Sequence, residues 1–156
     1  MGLKDGEAYA IVRFVAWNAS HDVNEDGLSE ADKIRVIDHL SQKMHVFISS
    51  ENELPEKLKK YQFNIPPEQM HDALYYATIY VGEGGTTASE AAILGTPAVY
   101  VNNLTMGYIN DEKEAGLLFQ TTSFKKIIEF IDQILSTGKG VYLELCDRLI
   151  KHKIDP

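Results

Sequence analysis

The stretch Tyr80 to Val101, YVGEGGTTASEAAILGTPAVYV, constrains the fold of this chain more than any other. An apolar run from Ala77 to Val81 leads into a glycine-rich turn, a helix of small residues follows, and Gly95-Thr96-Pro97 opens a second apolar run. That succession reads as strand, turn, helix and strand, a βαβ unit. Gly82, Gly84 and Gly85 suit a backbone at positive φ and let a ligand approach without a Cβ in the way. Thr86 or Thr87 is placed to cap the helix, whose first N–H groups and positive dipole end then face outward and suit a phosphate. Ala88, Ala91, Ala92 and Gly95 share a helix face small enough to pack closely on a sheet, while Glu90 points away and can accept two hydrogen bonds from a ribose diol. The same pattern also serves as a plain connector with a solvated glutamate. It is neither G-x-G-x-x-G nor a P-loop, so neither NAD nor ATP is favoured.

The rest of the chain alternates in the same way. Tyr9 to Trp17 is continuous and largely apolar, as expected of a strand buried on both faces. Its exception is Arg13, which either reaches a ligand phosphate near the strand end or pairs with a carboxylate inside the fold. Ser29-Glu30-Ala31-Asp32 starts a helix with Ile34, Val36, Ile37 and Leu40 inward. His45 to Ser49 is the next strand, Pro55 to Tyr61 a short helix with Pro55 in its first turn, and Phe63 to Pro67 an extended segment. Pro67 to Tyr76 reads as a helix with Met70, Ala73, Leu74 and Ala77 inward; His71 lies off that stripe, facing either the ligand cleft or solvent. Asn102 and Asn103 follow the strand after Pro97, and their amides suit either sugar recognition or the closing of a turn. Asn110 to Ala115 is a short helix ended by Gly116, Leu117 to Gln120 a last strand, and Ser123 to Leu135 an amphipathic helix. Ser136 to Gly140 reads as a hinge before a terminal helix, Val141 to Lys151. This alternation predicts a parallel sheet with helices on both faces, and ligands at the strand carboxyl ends, where loops 18–28, 50–54, 82–87 and 102–108 would converge.

Composition narrows the classes of partner. A formal charge of −8 argues against a nucleic-acid or acidic-membrane surface, which needs clustered Lys and Arg. The single Cys146 excludes an internal disulfide framework and C-x-x-C metal sites. With no signal peptide and no apolar run of membrane length, the expected setting is the cytosol. Asn24-Glu25-Asp26-Gly27 is acidic but lacks the EF-hand pattern, so no metal is expected there.

From Gly82 to Val101 the chain resembles the nucleotide-sugar motif in the C-terminal half of GT-B glycosyltransferases and of the related UDP-N-acetylglucosamine 2-epimerases: a glycine turn, Ser-Glu on the helix, then Gly-x-Pro-x-x-x-Val. From about Ala10 to Leu135 it is similar to a prokaryotic family of GT-B proteins without an assigned reaction. The recurring pieces are Arg13-Phe14-Val15-Ala16-Trp17, Ser20-His21-Asp22, Val46-Phe47-Ile48-Ser49-Ser50-Glu51 and Met70-His71-Asp72-Ala73-Leu74.

The resemblance implies a three-layer Rossmann-like domain, one half of a GT-B fold. Residues 1–8 would be a leading segment, 9–136 the nucleotide-sugar-binding domain, and 137–156 a hinge and C-terminal helix. It further implies a UDP-sugar ligand and no cofactor. Gly84, Gly85, Thr86 and Thr87 would hold the diphosphate, Glu90 the ribose, and Ile65 and its neighbours the base. His21 occupies the place of the histidine in an epimerase loop whose following arginines this chain lacks, which makes it the candidate acid or base. Because GT-B chemistry takes place between two such halves, the partner expected is a missing N-terminal domain, and the chain alone would bind without turning over. A 2-epimerase-like enzyme domain and a noncatalytic flavodoxin-like association module, with its terminal helix forming a homodimer, are the alternatives. A receiver domain is disfavoured, since Trp17-Asn18 ends the first strand where an acidic pair would be needed.

Overall fold

A computed structural model of the chain describes residues 6–14, 28–50 and 53–154. Five strands, β1 (Tyr9–Arg13), β2 (His45–Ile48), β3 (Ile79–Gly82), β4 (Ala98–Tyr100) and β5 (Leu118–Gln120), alternate with helices α1 (Glu30–Ser41), α2 (Met70–Tyr76), α3 (Gly85–Ile93), α4 (Gly107–Glu114), α5 (Phe124–Thr137) and α6 (Lys139–Ile154). All strand pairs are parallel, in the order β2-β1-β3-β4-β5.

Two-residue periodicity divides the strand side chains between two cores. Ala10, Val12 and Phe14 of the first strand segment, Ile79 and Val81, and Val99 and Val101 face one way and pack with Val36, Ile37 and Leu40 of α1 and Ile127, Ile131 and Ile134 of α5. Tyr9, Ile11, Tyr80, Ala98 and Tyr100 face the other way, against Ala73 and Leu74 of α2, Ala88 and Ala91 of α3 and Ile109 of α4. The fold is therefore a three-layer α/β domain, as the alternation predicts. Each of the three α5 isoleucines contributes about 1.5–3 kcal/mol by leaving water.

Local chemistry sets the helix ends. Ser29 Oγ accepts from the Asp32 N–H at 3.1 Å, and Ser123 Oγ from that of Lys126 at 3.4 Å, so both expected caps form. Three expectations differ. Pro55 precedes a 3-10 helix over Glu56–Tyr61 and acts as its cap. The segment from Pro67 begins as a 3-10 turn over Pro67–Gln69 and becomes α-helical at Met70. In place of a five-residue hinge, Gly138 alone, at φ +90°, separates α5 from α6.

Helix α6 closes the domain by crossing from α5 to α3. Tyr142 and Cys146 enter the first core, and the Cys146 thiol donates to the Ile93 carbonyl at 3.0 Å. A Cβ at Gly95, whose φ is +89°, would lie 2.6 Å from Leu143 Cδ2. The left-handed conformation requires glycine, while the half-exposed Leu143 side chain fills the space that its missing Cβ leaves.

The carboxyl end of α2 is held from far along the chain. Thr96, fully buried, donates to the Leu74 carbonyl at 2.6 Å. Lys139, at the start of α6, donates to the Tyr75 carbonyl and, at 2.5 Å, to that of Ala77. From the other side, the Tyr9 hydroxyl donates to the Ala73 carbonyl at 2.6 Å. These donors reinforce the carbonyls of the helix end, where Leu74 otherwise accepts only from the Ala77 N–H at 3.3 Å. Among the described residues, no helix is long and apolar enough to cross a membrane.

Two predictions follow from this anchoring. Thr96→Val keeps the volume but leaves the Leu74 carbonyl only its 3.3 Å bond from the Ala77 N–H, so thermal denaturation should show a loss of about 0.5–1.5 kcal/mol. Burial lowers the Lys139 ammonium to about 8, its two carbonyls offsetting only part of the desolvation, while burial and then the neighbouring Tyr76 raise Tyr9 to about 12. Between pH 8 and the ordinary lysine value of 10.5 the unfolded chain keeps a proton that folded Lys139 has released, so stability rises with pH. Above 10.0 the unfolded chain loses a tyrosine proton that folded Tyr9 keeps, so stability falls. Burial also raises the Cys146 thiol from 9.0, which opposes this rise above that pH, so the lysine is read by difference: between pH 8 and 10.5 the calorimetric Tm of Lys139→Met should rise less, or fall more, with pH than that of the wild type.

Candidate functional site

The strand order places a change of direction between β1 and β3. From β1 the chain passes through α1 to β2 on one side; it then returns across β1, through α2, to β3 and continues the other way. Helices diverging to opposite faces leave a crevice at the carboxyl ends of those two strands. There Arg13 and Gly82 stand opposite each other in register, and the Glu83 N–H donates to the Arg13 carbonyl at 3.0 Å.

A cleft of about 1000 Å³ opens beside this point. Arg13 from β1, Ser49 and Ser50 after β2, Met70 and His71 of α2, and Thr87 and Glu90 of α3 line it, together with Gln62, Asn64 and Ile65. The last three are held because Phe63 donates to the Ile48 carbonyl at 3.0 Å and Gln62 bridges to Ile48, so the extended segment lies alongside β2. Ile65 is buried and packs into the second core.

Charge in the cleft is mixed. His71 Nε2 stands 3.7 Å from Glu90 Oε2, with side chains 72% and 36% exposed, a loose contact that leaves the carboxylate with acceptor capacity. Lys59 donates to Glu56 at 2.9 Å and to Glu53 at 3.1 Å, and these hydrogen bonds to carboxylates, Glu56 first, raise its pKa. Among the described residues no group of three or more His, Cys, Asp and Glu is placed to hold a metal ion.

The glycine turn works differently from the expectation. None of Gly82, Gly84 and Gly85 adopts positive φ. What selects glycine is crowding. A Cβ at Gly82 would fall on the Tyr80 hydroxyl and 2.6 Å from the Arg13 carbonyl oxygen; one at Gly85 would sit 3.1 Å from the Met106 methyl and 3.2 Å from the Tyr100 hydroxyl. At Gly84 there is room. Nor do Thr86 and Thr87 cap the helix. It begins two or three residues earlier than expected, at Gly85, with Gly84 as N-cap and no side-chain hydrogen bond, which puts both threonines within the first turn.

Of the residues singled out from sequence, then, Arg13, Ile65, His71, Thr87 and Glu90 line one cleft. Gly84, Gly85 and Thr86 start the helix from which Thr87 and Glu90 project. Asn102 does not line the cleft: its amide donates to the Glu83 carbonyl at 3.3 Å and its oxygen accepts from the Leu104 N–H at 3.0 Å, closing a turn. His21 and the acidic run that follows it lie outside the described residues. Sequence reasoning passed over Ser49 and Ser50, although their place at the end of a buried strand was the available signal. It also passed over Lys33, which is 3% exposed on α1 and meets Glu83 at 3.2 Å. This pair ties the glycine turn to the opposite helical layer.

No family model matches the chain, and no curated protein sequence does. Solved structures do match in fold. One is a UDP-N-acetylglucosamine 2-epimerase from Neisseria meningitidis bound to UDP-N-acetylglucosamine, with 15% identity, a TM-score of 0.62, and coverage of 92% of this chain and 40% of that one. The glycosyltransferase VinC in complex with dTDP gives 14% identity and a TM-score of 0.61, over 92% of this chain and 38% of that one. The UDP-N-acetylglucosamine 2-epimerase of Methanocaldococcus jannaschii, solved with UDP-N-acetylglucosamine and UDP, gives 12%, 0.59, 85% and 40% in the same order. The chain thus has the fold of one half of a GT-B protein and spans about two fifths of the length of these structures.

The crowding beneath the turn gives a direct test. Gly82→Ala must displace the Tyr80 hydroxyl or part β1 from β3, so it should lower stability by about 1–3 kcal/mol in urea titrations. An unchanged midpoint would contradict the packing described.

Proposed function

We propose that this chain is the nucleotide-sugar-binding half of a GT-B protein and that its ligand is a UDP-sugar. The observation carrying the proposal is the meeting, in one cleft at the strand carboxyl ends, of the Glu90 carboxylate, the buried Ile65 segment and the first turn of α3. Each suits one part of such a ligand. The extended backbone around Ile65 presents amide groups to a uracil edge, and Glu90 offers two lone pairs to the ribose diol. The α3 N-terminus, from Gly84 to Thr87, offers backbone N–H groups and the positive dipole end to the diphosphate. Arg13 adds positive charge at the strand end, and His71, beside Glu90, closes the rim.

In a glycosyl transfer, the bond from the anomeric carbon to the diphosphate oxygen breaks, and negative charge grows on the departing nucleotide. Fixed N–H groups at α3 stabilise that charge without reorganising and without a metal. The acceptor and the base that deprotonates it belong, on this reading, to a second half. That the similar structures include epimerases favours a second reading, in which the loop holding His21 supplies an acid or base. A cytosolic setting accompanies either reading, and the buried free thiol of Cys146 suits a reducing compartment.

Thermal-shift and calorimetric titrations with UDP, UDP-N-acetylglucosamine, uridine and ADP test the proposal, since a ligand that binds the folded form raises its Tm by mass action. A saturable response selective for uridine nucleotides is expected, and Glu90→Ala should weaken it roughly 10- to 100-fold, the range for a hydrogen bond to a charged group. Equal responses to ADP and UDP, or none at millimolar ligand, would refute it.

A further inference from the structure

Two phenols from neighbouring strands end beneath the start of α3. Tyr80 of β3 and Tyr100 of β4 both face the second core. The Tyr100 hydroxyl reaches the backbone of Gly85, and the Tyr80 hydroxyl that of Gly82. Tyr80 is fully buried, and its hydroxyl has no hydrogen-bond partner among the described residues. The Gly84 N–H is turned toward the phenol oxygen as a donor, short of a closed hydrogen bond, and nothing among the described residues accepts the hydroxyl proton. Burying a hydroxyl without a partner is unfavourable, and groups so placed in a folded protein call for an explanation.

The geometry around Gly84 supplies one. An atom placed where Gly84 lacks a Cβ would meet a single neighbour within 4 Å, the Tyr80 hydroxyl at 3.9 Å. The same residue is the N-cap of α3 and makes no side-chain bond to the helix's first N–H groups. Gly84 thus sets the uncapped helix amides one side-chain position away from the hydroxyl, which solvent itself does not reach.

We propose that Tyr80 is a ligand-binding residue: its hydroxyl donates, through the gap at Gly84, to a phosphate oxygen seated on the α3 N-terminus. This rests on the nucleotide reading above and adds to it a donor from the strand below the turn. Burial pushes the phenol well above its ordinary pKa, with the Arg13 charge opposing only part of the rise, so the proton to be donated stays in place throughout the physiological range. A neutral donor suits this position, because a buried cation there would cost desolvation whenever the ligand leaves. Tyr80 thereby also accounts for a second glycine: Gly82 makes room for the hydroxyl, and Gly84 gives access to it.

Tyr80→Phe removes one oxygen and keeps the ring, so it separates binding from packing. We expect its ligand-free Tm to equal or exceed that of the wild type, its affinity for UDP and for inorganic pyrophosphate to fall roughly tenfold, and its affinity for uridine to stay unchanged. Gly84→Ala, which fills the gap without a steric clash, should lose pyrophosphate to a similar degree while still folding. Wild-type affinity for pyrophosphate and UDP in Tyr80→Phe would overturn the inference. So would a Tm several degrees below wild type, since the hydroxyl would then already be satisfied within the fold. Pyrophosphate binding that depends on Tyr80 in a protein indifferent to uridine would support this anion subsite and dismiss the uridine selectivity proposed above. A wild-type protein that binds neither pyrophosphate nor UDP would overturn both.

Discussion

The contact of Arg13 with Gly82 is the point on which the architecture of the cleft turns. Two parallel strands end there in register, and the Arg13 carbonyl accepts the N–H that begins the glycine turn. Any side chain at position 82 would push the strands apart or expel the Tyr80 hydroxyl. Because β1 and β3 are the strands between which the chain changes direction, this contact fixes the angle at which α3 leaves the sheet. That angle carries Thr87 and Glu90 to the cleft wall. The buried Lys33–Glu83 pair then braces the turn from the opposite layer. Buried pairs of this kind are strongly destabilising to break even when their net contribution is small, so the brace acts mainly as a positioning device.

The same logic extends to the wall opposite α3. Helix α2 has only seven residues, too short to be stable by itself, and it carries Met70 and His71. Its carboxyl end is satisfied by Thr96 from the turn before β4 and by Lys139 from α6, and Tyr9 of β1 reaches the carbonyl of Ala73. Two residues of the cleft thus owe their place to donors that never touch it. The Gly-Thr-Pro segment, whose sequence suggests only a turn into a strand, is a helix clamp.

Legibility from sequence followed the range of the interaction. The parallel sheet, its two buried faces and the caps at Ser29 and Ser123 rest on periodicities and contacts within a few residues, and all could be read directly. The convergence of Arg13, Ile65, His71, Thr87 and Glu90 on one cleft was legible in part, because strand ends in such sheets share an edge. What could not be read were pairings across many residues: Lys33 has the spacing of a helix residue near the solvated side, and nothing local announces Glu83 as its partner. Thr96 and Lys139 were opaque for the same reason. The glycines were misread in mechanism, since composition alone does not distinguish glycine required by φ from glycine required by a neighbour's hydroxyl. Asn102 was ambiguous from the start, and its two bonds to loop backbone make it part of a turn.

Every described residue lining the cleft lies between Arg13 and Glu90, whereas α5 and α6 supply none of its lining and act through packing and the Lys139 bonds to the end of α2. The chain is thus divided along its length into a part that both lines the cleft and builds the core and a part that only supports it. Variation before position 90 can retune what the cleft accepts, and variation after it mainly changes how firmly the cleft is held. A change of specificity and its stabilising compensation could therefore arise at separate ends of the same polypeptide, each with little interference from the other.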